Sequence, residues 1–265
     1  MSDRIERAAR WLVQQHRDHA VLGPFPADCA PADVAEAYAV QRRFVEIKAR
    51  DCGPPAGWKI ALSNPAMQRF VGLPEPIAGR LLRRQVVGGP ARTKAAAYGR
   101  FLVEFEIAVE LGADLPVAAG AVCNPEQAAA AVAAVRPAFE LADDRGADYA
   151  TLSAHGLQLV ADNALSEGAV LGERRSDWRG LDLKALRGTA YVDGEAVGQG
   201  EGRDLMGGPL EALAWLATHA ARQGQPMRAG EVAILGSLVT SKFPTAGQRL
   251  RFELDGFAPL ELAVD

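Results

Sequence analysis

The chain has 265 residues, 49% of them hydrophobic and 23% charged, the balance of an ordinary globule with material for a sizeable core. Its 29 Lys and Arg against 33 Asp and Glu leave a net charge of −4. That excludes a broad basic field, and with it nucleic acid or an anionic membrane surface as a partner. Cys29, Cys52 and Cys123 lie far apart, which argues against a disulfide framework and for a reducing compartment. No apolar run nears the ~18 residues of a membrane span. The charged start MSDRIERAAR lacks the apolar stretch of a signal peptide, so a cytoplasmic protein is expected.

The first elements read as helices. Asp3 can cap, with Glu6 three residues on, and Ile5, Ala8, Ala9, Leu12 and Val13 form one apolar stripe at helical spacing. Pro31 opens a second pattern with Val34, Ala37, Tyr38, Phe44 and Val45 on one side. Gly53, Pro54 and Pro55 mark a loop into GWKIAL (57–62), a short strand. Asn64 and Pro65 read as N-cap and first residue of a helix that Gly72 stops.

From Arg100 the pattern changes. RFLVEFEIAVEL is β-branched and aromatic and predicts a strand ending at Gly112. NPEQAAAAVAAV predicts a helix, capped by Asn124, opened by Pro125, with Gln127 at the capping-box position and Pro137 as its end. AFELAD (138–143) predicts a strand, and Asp193-Gly194 a type I′ hairpin turn. A helix is expected over 210–223, between Pro209 and Gly224. The tail alternates strands at 231–235, 249–254 and 260–264 with a turn at Asp255-Gly256. Helices first and strands afterwards predict an α+β chain, one compact unit with a mainly helical N-terminal subdomain over 1–95 and a β-rich domain over 96–265.

Glu104 and Glu106 flank Phe105 in an apolar strand, so both carboxylates point to one face. They read either as the exposed face of an edge strand or as ligands of a hard divalent ion that removes their repulsion. Glu110 extends the alternation and favours the first reading. Glu140 is a further acid in an apolar segment, and Asp143 and Asp144 read as turn residues. Lys59, between Trp58 and Ile60, reads either as a snorkelling surface lysine or as a proton donor beside a metal. His16 and His19 read as a solvated helix face, and His155 and His219 are isolated. Gly198 to Gly202 lacks dinucleotide spacing, and the chain has no GxxxxGK[ST] loop, GxSxG elbow or HExxH motif.

Taken together, Gly57-Trp-Lys-Ile-Ala-Leu-Ser-Asn-Pro-Ala-Met-Gln68, Val103-Glu-Phe-Glu-Ile-Ala108, Pro137-Ala-Phe-Glu140 and Val160-Ala-Asp-Asn163 carry a resemblance. Gly180-Leu-Asp-Leu-Lys184, Gly208 to Ala217 and Gly230 to Val239 extend it in the same order. From about residue 35 to its end the chain resembles the 2-keto-4-pentenoate hydratase / 4-oxalocrotonate decarboxylase family of the fumarylacetoacetate hydrolase superfamily. The resemblance implies a mixed β-roll core with a helical N-terminal part and a metal-binding catalytic domain in 96–265. It implies Mg²⁺ or Mn²⁺ held by Glu104, Glu106 and Glu140, with Lys59 handling the proton or contacting an enolate. Asn163 and Ser237 are candidates for orienting substrate or water. The ion would take a 2-oxo acid by its carboxylate and keto oxygen and act as a Lewis acid.

The resemblance implies first a hydratase adding water to a 2-hydroxy-2,4-dienoate to give a 4-hydroxy-2-oxo acid, as in aromatic catabolism. The alternatives are a decarboxylase or C–C hydrolase on a related oxo acid, and a non-catalytic partner subunit of a hydratase–decarboxylase complex. The hydrolase is disfavoured by the lack of a matching histidine–acid dyad near the lysine motif. A homo-oligomer is implied, with a decarboxylase or aldolase of the same reaction sequence as a possible protein partner. Two departures stand out: Ile77 follows Pro76 where the family often has Asp, and Leu165 stands where it often has Ser. Both remove a polar group expected to face substrate, and point to a bulkier or more apolar oxo acid or another reaction on the same enolate.

Overall fold

The computed structural model describes residues 3–265; Met1 and Ser2, at the head of the expected N-terminal part, lie outside the described residues. Helix α1 (Asp3–Arg17) buries Ala8, Ala9, Leu12 and Val13, the stripe read from the sequence. Helix α2 (Val34–Cys52) starts at Asp33, whose side chain accepts from the Glu36 N–H. The two helices pack on each other and enclose a core with Ile77, Leu159 and Val160.

Strand β1 (Pro55–Ala61) leads to the short helix α3 (Pro65–Phe70), capped by Asn64 as expected. Strands β2 (Ile77–Leu82), β3 (Val86–Gly88), β4 (Ala91–Thr93) and β5 (Phe101–Leu111) follow. Helix α4 (Pro125–Ala131) carries the capping box of Asn124 and Gln127 but stops after 7 residues. From Val132 the chain is extended as β6 (Val132–Asp143), straight through Pro137. The sequence expectation of a helix up to Pro137 is corrected here. Val132, Val135 and Phe139 are buried, and β6 pairs with β5 from Leu111↔Val132 to Phe101↔Asp143, so the ladder overrides the helical preference of the alanines.

Helix α5 (Gly156–Ala161), β7 (Ser166–Leu171), β8 (Arg187–Val192) and β9 (Glu195–Glu201) come next. Asp193 (φ 51°) and Gly194 (φ 85°) have the left-handed pair of a type I′ turn. Helix α6 (Pro209–Arg222), β10 (Val232–Ser237), β11 (Arg249–Leu254) and β12 (Leu260–Val264) complete the chain.

One sheet has the order β2-β1-β10-β5-β6-β7-β3 and the other β4-β12-β11-β8-β9. Both are mixed: β1 runs parallel to β10, β3 to β7 and β12 to β4, and the remaining neighbours are antiparallel. This is the expected α+β architecture with a mixed β core. Strands β1 to β4 lie before residue 96, so the N-terminal stretch contributes to both sheets. Phe105 and Phe139 of the larger sheet meet Phe252 of the smaller, with ring centroids 5.7 and 6.4 Å from its own. Each buried phenyl contributes roughly 2 kcal/mol or more.

β5 is the middle strand of seven, not an edge. Its odd residues, Val103, Phe105, Ile107 and Val109, enter the core shared with the smaller sheet. Its even residues carry the acids on the opposite face, near the helical core of α1 and α2. Glu106 is therefore buried, and the exposed-face reading of the Glu104/Glu106 alternation does not hold.

Candidate active site

Three strands bring the site together. Glu104 and Glu106 share a face of β5, and Glu140 of β6 stands directly opposite Glu104 in the ladder. Carboxylate oxygens of all three lie within 4.8 Å of one another. Glu106 and Glu140 are fully buried and Glu104 half-buried. Lys59 of β1 is 1% exposed, with its Nζ 3.0 Å from Glu140 Oε1 and 3.3 Å from the Ala164 carbonyl. Gly79, paired with Lys59 across β1–β2, makes room for it: a Cβ there would stand 3.0 Å from the lysine stem and 2.9 Å from Asn163 Oδ1.

The hydrogen bonds around the acids are few. Gly236 N–H donates to Glu106 Oε2 at 2.7 Å. It can do so because β10 is irregular between Ile234 and Ser237, where Gly236 takes φ 110°. Ser241 Oγ donates to Glu104 Oε1 at 2.6 Å. Glu106 Oε1 and Glu140 Oε2 are buried without a hydrogen-bond partner.

Burial, then the neighbouring Glu140 and Glu104, push the Glu106 carboxyl well above the usual carboxylate range. Burial also pushes Glu140 up to about 7, against the pull of Lys59. Converging carboxylates with orphaned oxygens are expensive on their own and fit a hard divalent cation, which prefers such oxygen donors.

Glu104 and Glu140 open onto a cavity of about 150 Å³, lined also by Lys59, Ser241 and Tyr149 and otherwise by apolar side chains. Ile77 and Leu165, the two departures noted in the sequence, both line it. The expected substrate-orienting residues do not. Asn163 is spent on the backbone of Arg80, accepting from its N–H at 2.7 Å and donating to its carbonyl at 2.9 Å. Ser237, opposite Glu106 on β10, accepts from Phe105 N–H at 3.0 Å and donates to the Val239 carbonyl at 2.6 Å.

The fumarylacetoacetate (FAA) hydrolase C-terminal family matches residues 75–265. The chain belongs to this family. Among relatives in the family, it is 34% identical to the 2-keto-4-pentenoate hydratase of Paraburkholderia phymatum over 240 residues, 90% of this chain and 89% of the relative. It is 30% identical to the 2-hydroxyhexa-2,4-dienoate hydratase of Comamonas testosteroni, covering 97% of this chain and 96% of that one. Its fold matches that of 4-oxalocrotonate decarboxylase from Pseudomonas putida G7, solved with magnesium and adipate, at a TM-score of 0.88 and 24% identity over 100% of this chain and 99% of that chain. This family fold is what carries Glu104, Glu106 and Glu140 to one point.

Several contributors escape a reading of the sequence. Ser241 has no motif of its own, and Tyr149 reaches the cavity from the loop after β6. His16, expected on a solvated face, has a side chain only 8% exposed. Its ring lies 2.5 Å from Asp162 Oδ1 and 2.7 Å from Glu167 Oε1. Arg145 and Lys48 pair with the same two acids. This buried charge network does not line the cavity. It anchors the segment that follows Asp162, whose Ala164 and Leu165 form part of the cavity wall.

Proposed function

We propose that the protein is a divalent-metal-dependent hydratase that adds water to a short 2-hydroxy-2,4-dienoate and yields a 4-hydroxy-2-oxo acid. The observation that carries this reading is the convergence of Glu104, Glu106 and Glu140, with two orphaned oxygens, beside a buried Lys59 that lines a small cavity. Hydratase names among relatives at 30–34% identity over most of the chain support it. Glu104, Glu106 and Glu140 hold Mg²⁺ or Mn²⁺ in this proposal. A bound ion supplies Lewis acidity to a 2-oxo acid's carboxylate and keto oxygens, which favours proton transfer at the adjacent carbon.

The chain's own groups do the rest. Glu140 Oε1 and the Ala164 carbonyl hold Lys59 Nζ at the cavity wall, where it can deliver or receive the proton at carbon. Ser241 fixes the rotamer of Glu104, and Gly236 that of Glu106. Asn163 acts by shaping rather than by touching substrate, since both ends of its amide are bound to Arg80. Ser237 likewise fixes β10 against β5.

The test is product analysis by mass spectrometry of 2-hydroxypenta-2,4-dienoate incubated with the protein and Mg²⁺ or Mn²⁺. Gain of one water, with loss of the dienol absorbance, is expected. Release of CO₂ from a 4-oxalocrotonate-type acid without hydration would assign a decarboxylase instead. Loss of turnover in a folded Glu106→Ala variant excludes a purely non-catalytic partner subunit.

A further inference from the structure

A second pocket lies where the latter half of α2 meets the start of β1 and Arg80 of β2. Its volume is about 450 Å³, and it shares no lining residue with the cavity at the acids. Arg42, Arg50 and Arg80 line it, and Val45, Ala49 and Pro55 supply an apolar wall. The chain as a whole carries a charge of −4, so three guanidinium groups on one pocket reverse its sign locally. Glu46 is the one acid among the lining residues, and Arg43, outside the pocket, donates to its Oε2 at 2.9 Å.

The protein leaves these three cations under-partnered. The Arg50 side chain makes no hydrogen bond or ion pair with the described residues. Arg42 donates from Nη1 to the neutral Gln223 Oε1 at 2.7 Å and meets no carboxylate among the described residues. Arg80 is the best held of the three. Its side chain is 10% exposed, its guanidinium stands 3.8 Å above the Trp58 ring, and its Nη2 donates to Glu231 Oε1 at 2.7 Å. Trp58 Nε1 donates to the same Glu231, so the guanidinium is fixed before any ligand arrives. Its Nε is nevertheless buried without a partner. A cation desolvated this far and left one bond short is costly, and an anion beside it lowers that cost.

The pocket is separate from the catalytic face. Trp58 pairs with Arg80 across β1–β2, and Lys59 with Gly79 next to them. Alternation along a strand therefore puts Arg80 and Lys59 on opposite faces of the sheet.

We propose that this pocket is a second ligand site, built for a small organic carboxylate whose head lies on the arginines and whose hydrocarbon body lies on Val45, Ala49 and Pro55. Guanidinium forks match the planar carboxylate, and the apolar wall rewards a body that an inorganic anion lacks. The volume falls within the ~300–1,000 Å³ of small-molecule sites. The site stands whichever reaction the acids and Lys59 perform.

Calorimetric titration of the Mn²⁺-loaded protein with benzoate, acetate and inorganic phosphate tests it. Benzoate is expected to bind about tenfold more tightly than acetate, since both share the head and only benzoate has a ring for the apolar wall. Phosphate is expected to bind more weakly than benzoate. Arg50→Glu alters an exposed, unpaired side chain, so the fold is left in place, and it is expected to weaken benzoate at least tenfold. Arg50→Lys keeps the charge and is expected to weaken it less. Absence of benzoate binding overturns the inference. Equal affinity in the parent and in Arg50→Glu places benzoate elsewhere and overturns it too. Phosphate bound more tightly than benzoate, or acetate bound as tightly, overturns the assignment of an organic carboxylate.

Discussion

Glu104 and Glu140 face each other directly across the β5–β6 ladder, in the middle of a seven-stranded sheet. Like charges at opposed positions destabilise a sheet, and burial removes the water that would moderate them. Glu106 adds a third carboxyl on the same face. The cation Lys59 meets only Glu140, so it does not compensate all three. The arrangement sacrifices stability of the metal-free fold for a concentrated oxygen cage.

That trade can be measured. In Glu106→Gln the side chain keeps its volume and loses its buried ionisable group. The metal-free variant is expected to melt at a higher temperature than the metal-free parent. The parent should gain about 2.7 kcal/mol from Mn²⁺ at one hundred times its dissociation constant, and the variant little. Thermal unfolding in EDTA and in graded Mn²⁺ reads both effects. A parent whose melting temperature ignores Mg²⁺ and Mn²⁺ alike ends the metal assignment.

Lys59→Met separates proton handling from metal binding. The variant keeps an unbranched side chain of similar length in a site that is 1% exposed. Turnover is expected to fall roughly 10²–10⁴-fold, the range for losing a positioned acid–base group, while stabilisation by Mn²⁺ persists. Steady-state kinetics beside a Mn²⁺ melting series provide the two readouts. Undiminished turnover would remove Lys59 from the mechanism.

Much of this was legible in the chain because it is local. The Asn124–Gln127 cap, the Asp193-Gly194 turn and the α1 stripe depend on neighbours a few residues away. What was not legible depends on distant partners. The alanines after Ala131 favour a helix, and only the β5 ladder makes them strand. His16 reads as solvated until Asp162 and Glu167 are seen on either side of its ring. Spacing alone put Glu104 and Glu106 on one face, but burial of that face depends on β10 and β6, which pair with β5 on its two sides. Glu140 and Lys59 joined them through resemblance, and the register supplies the geometric reason.

Asn163, Ala164 and Leu165 form a left-handed turn, with φ of 56°, 48° and 66°, and Asn163 latches it to Arg80. Asn163→Ala tests whether that turn matters to function. The change strips partners from the Arg80 N–H and carbonyl and removes a residue type that tolerates this conformation. A loss of about 1–3 kcal/mol in unfolding free energy is expected. Because the turn presents the Ala164 carbonyl to Lys59, kcat should fall more than KM rises. Ala164→Gly, which relieves the backbone strain at φ 48°, should cost far less stability. Equal stability of Asn163→Ala and the parent contradicts the latch.

The buried network behind the site sets a pH window for stability. Burial is the largest single influence on its three titrating groups, and in each the charged partners outweigh it. His16 and Arg145 hold Asp162 at about 2 instead of 3.8. Lys48 and His16 hold Glu167 at about 2 instead of 4.5. Asp162 and Glu167 raise His16 above its usual 6.5. The depressed acids contribute stability above their unfolded values and lose it as pH falls towards 2, on the order of 2–3 kcal/mol each. The raised imidazole contributes fully below pH 6.5 and loses its share as pH rises through its folded value. The network's contribution should therefore be greatest between about pH 4.5 and 6.5. Urea unfolding of the parent and of His16→Gln from pH 3 to 9 isolates it from the carboxyls of the site, which both proteins share. The free-energy difference between the two is expected to be largest inside that window and to shrink on the alkaline side. A difference that grows with pH would mean that His16 is neutral in the fold and held by packing alone.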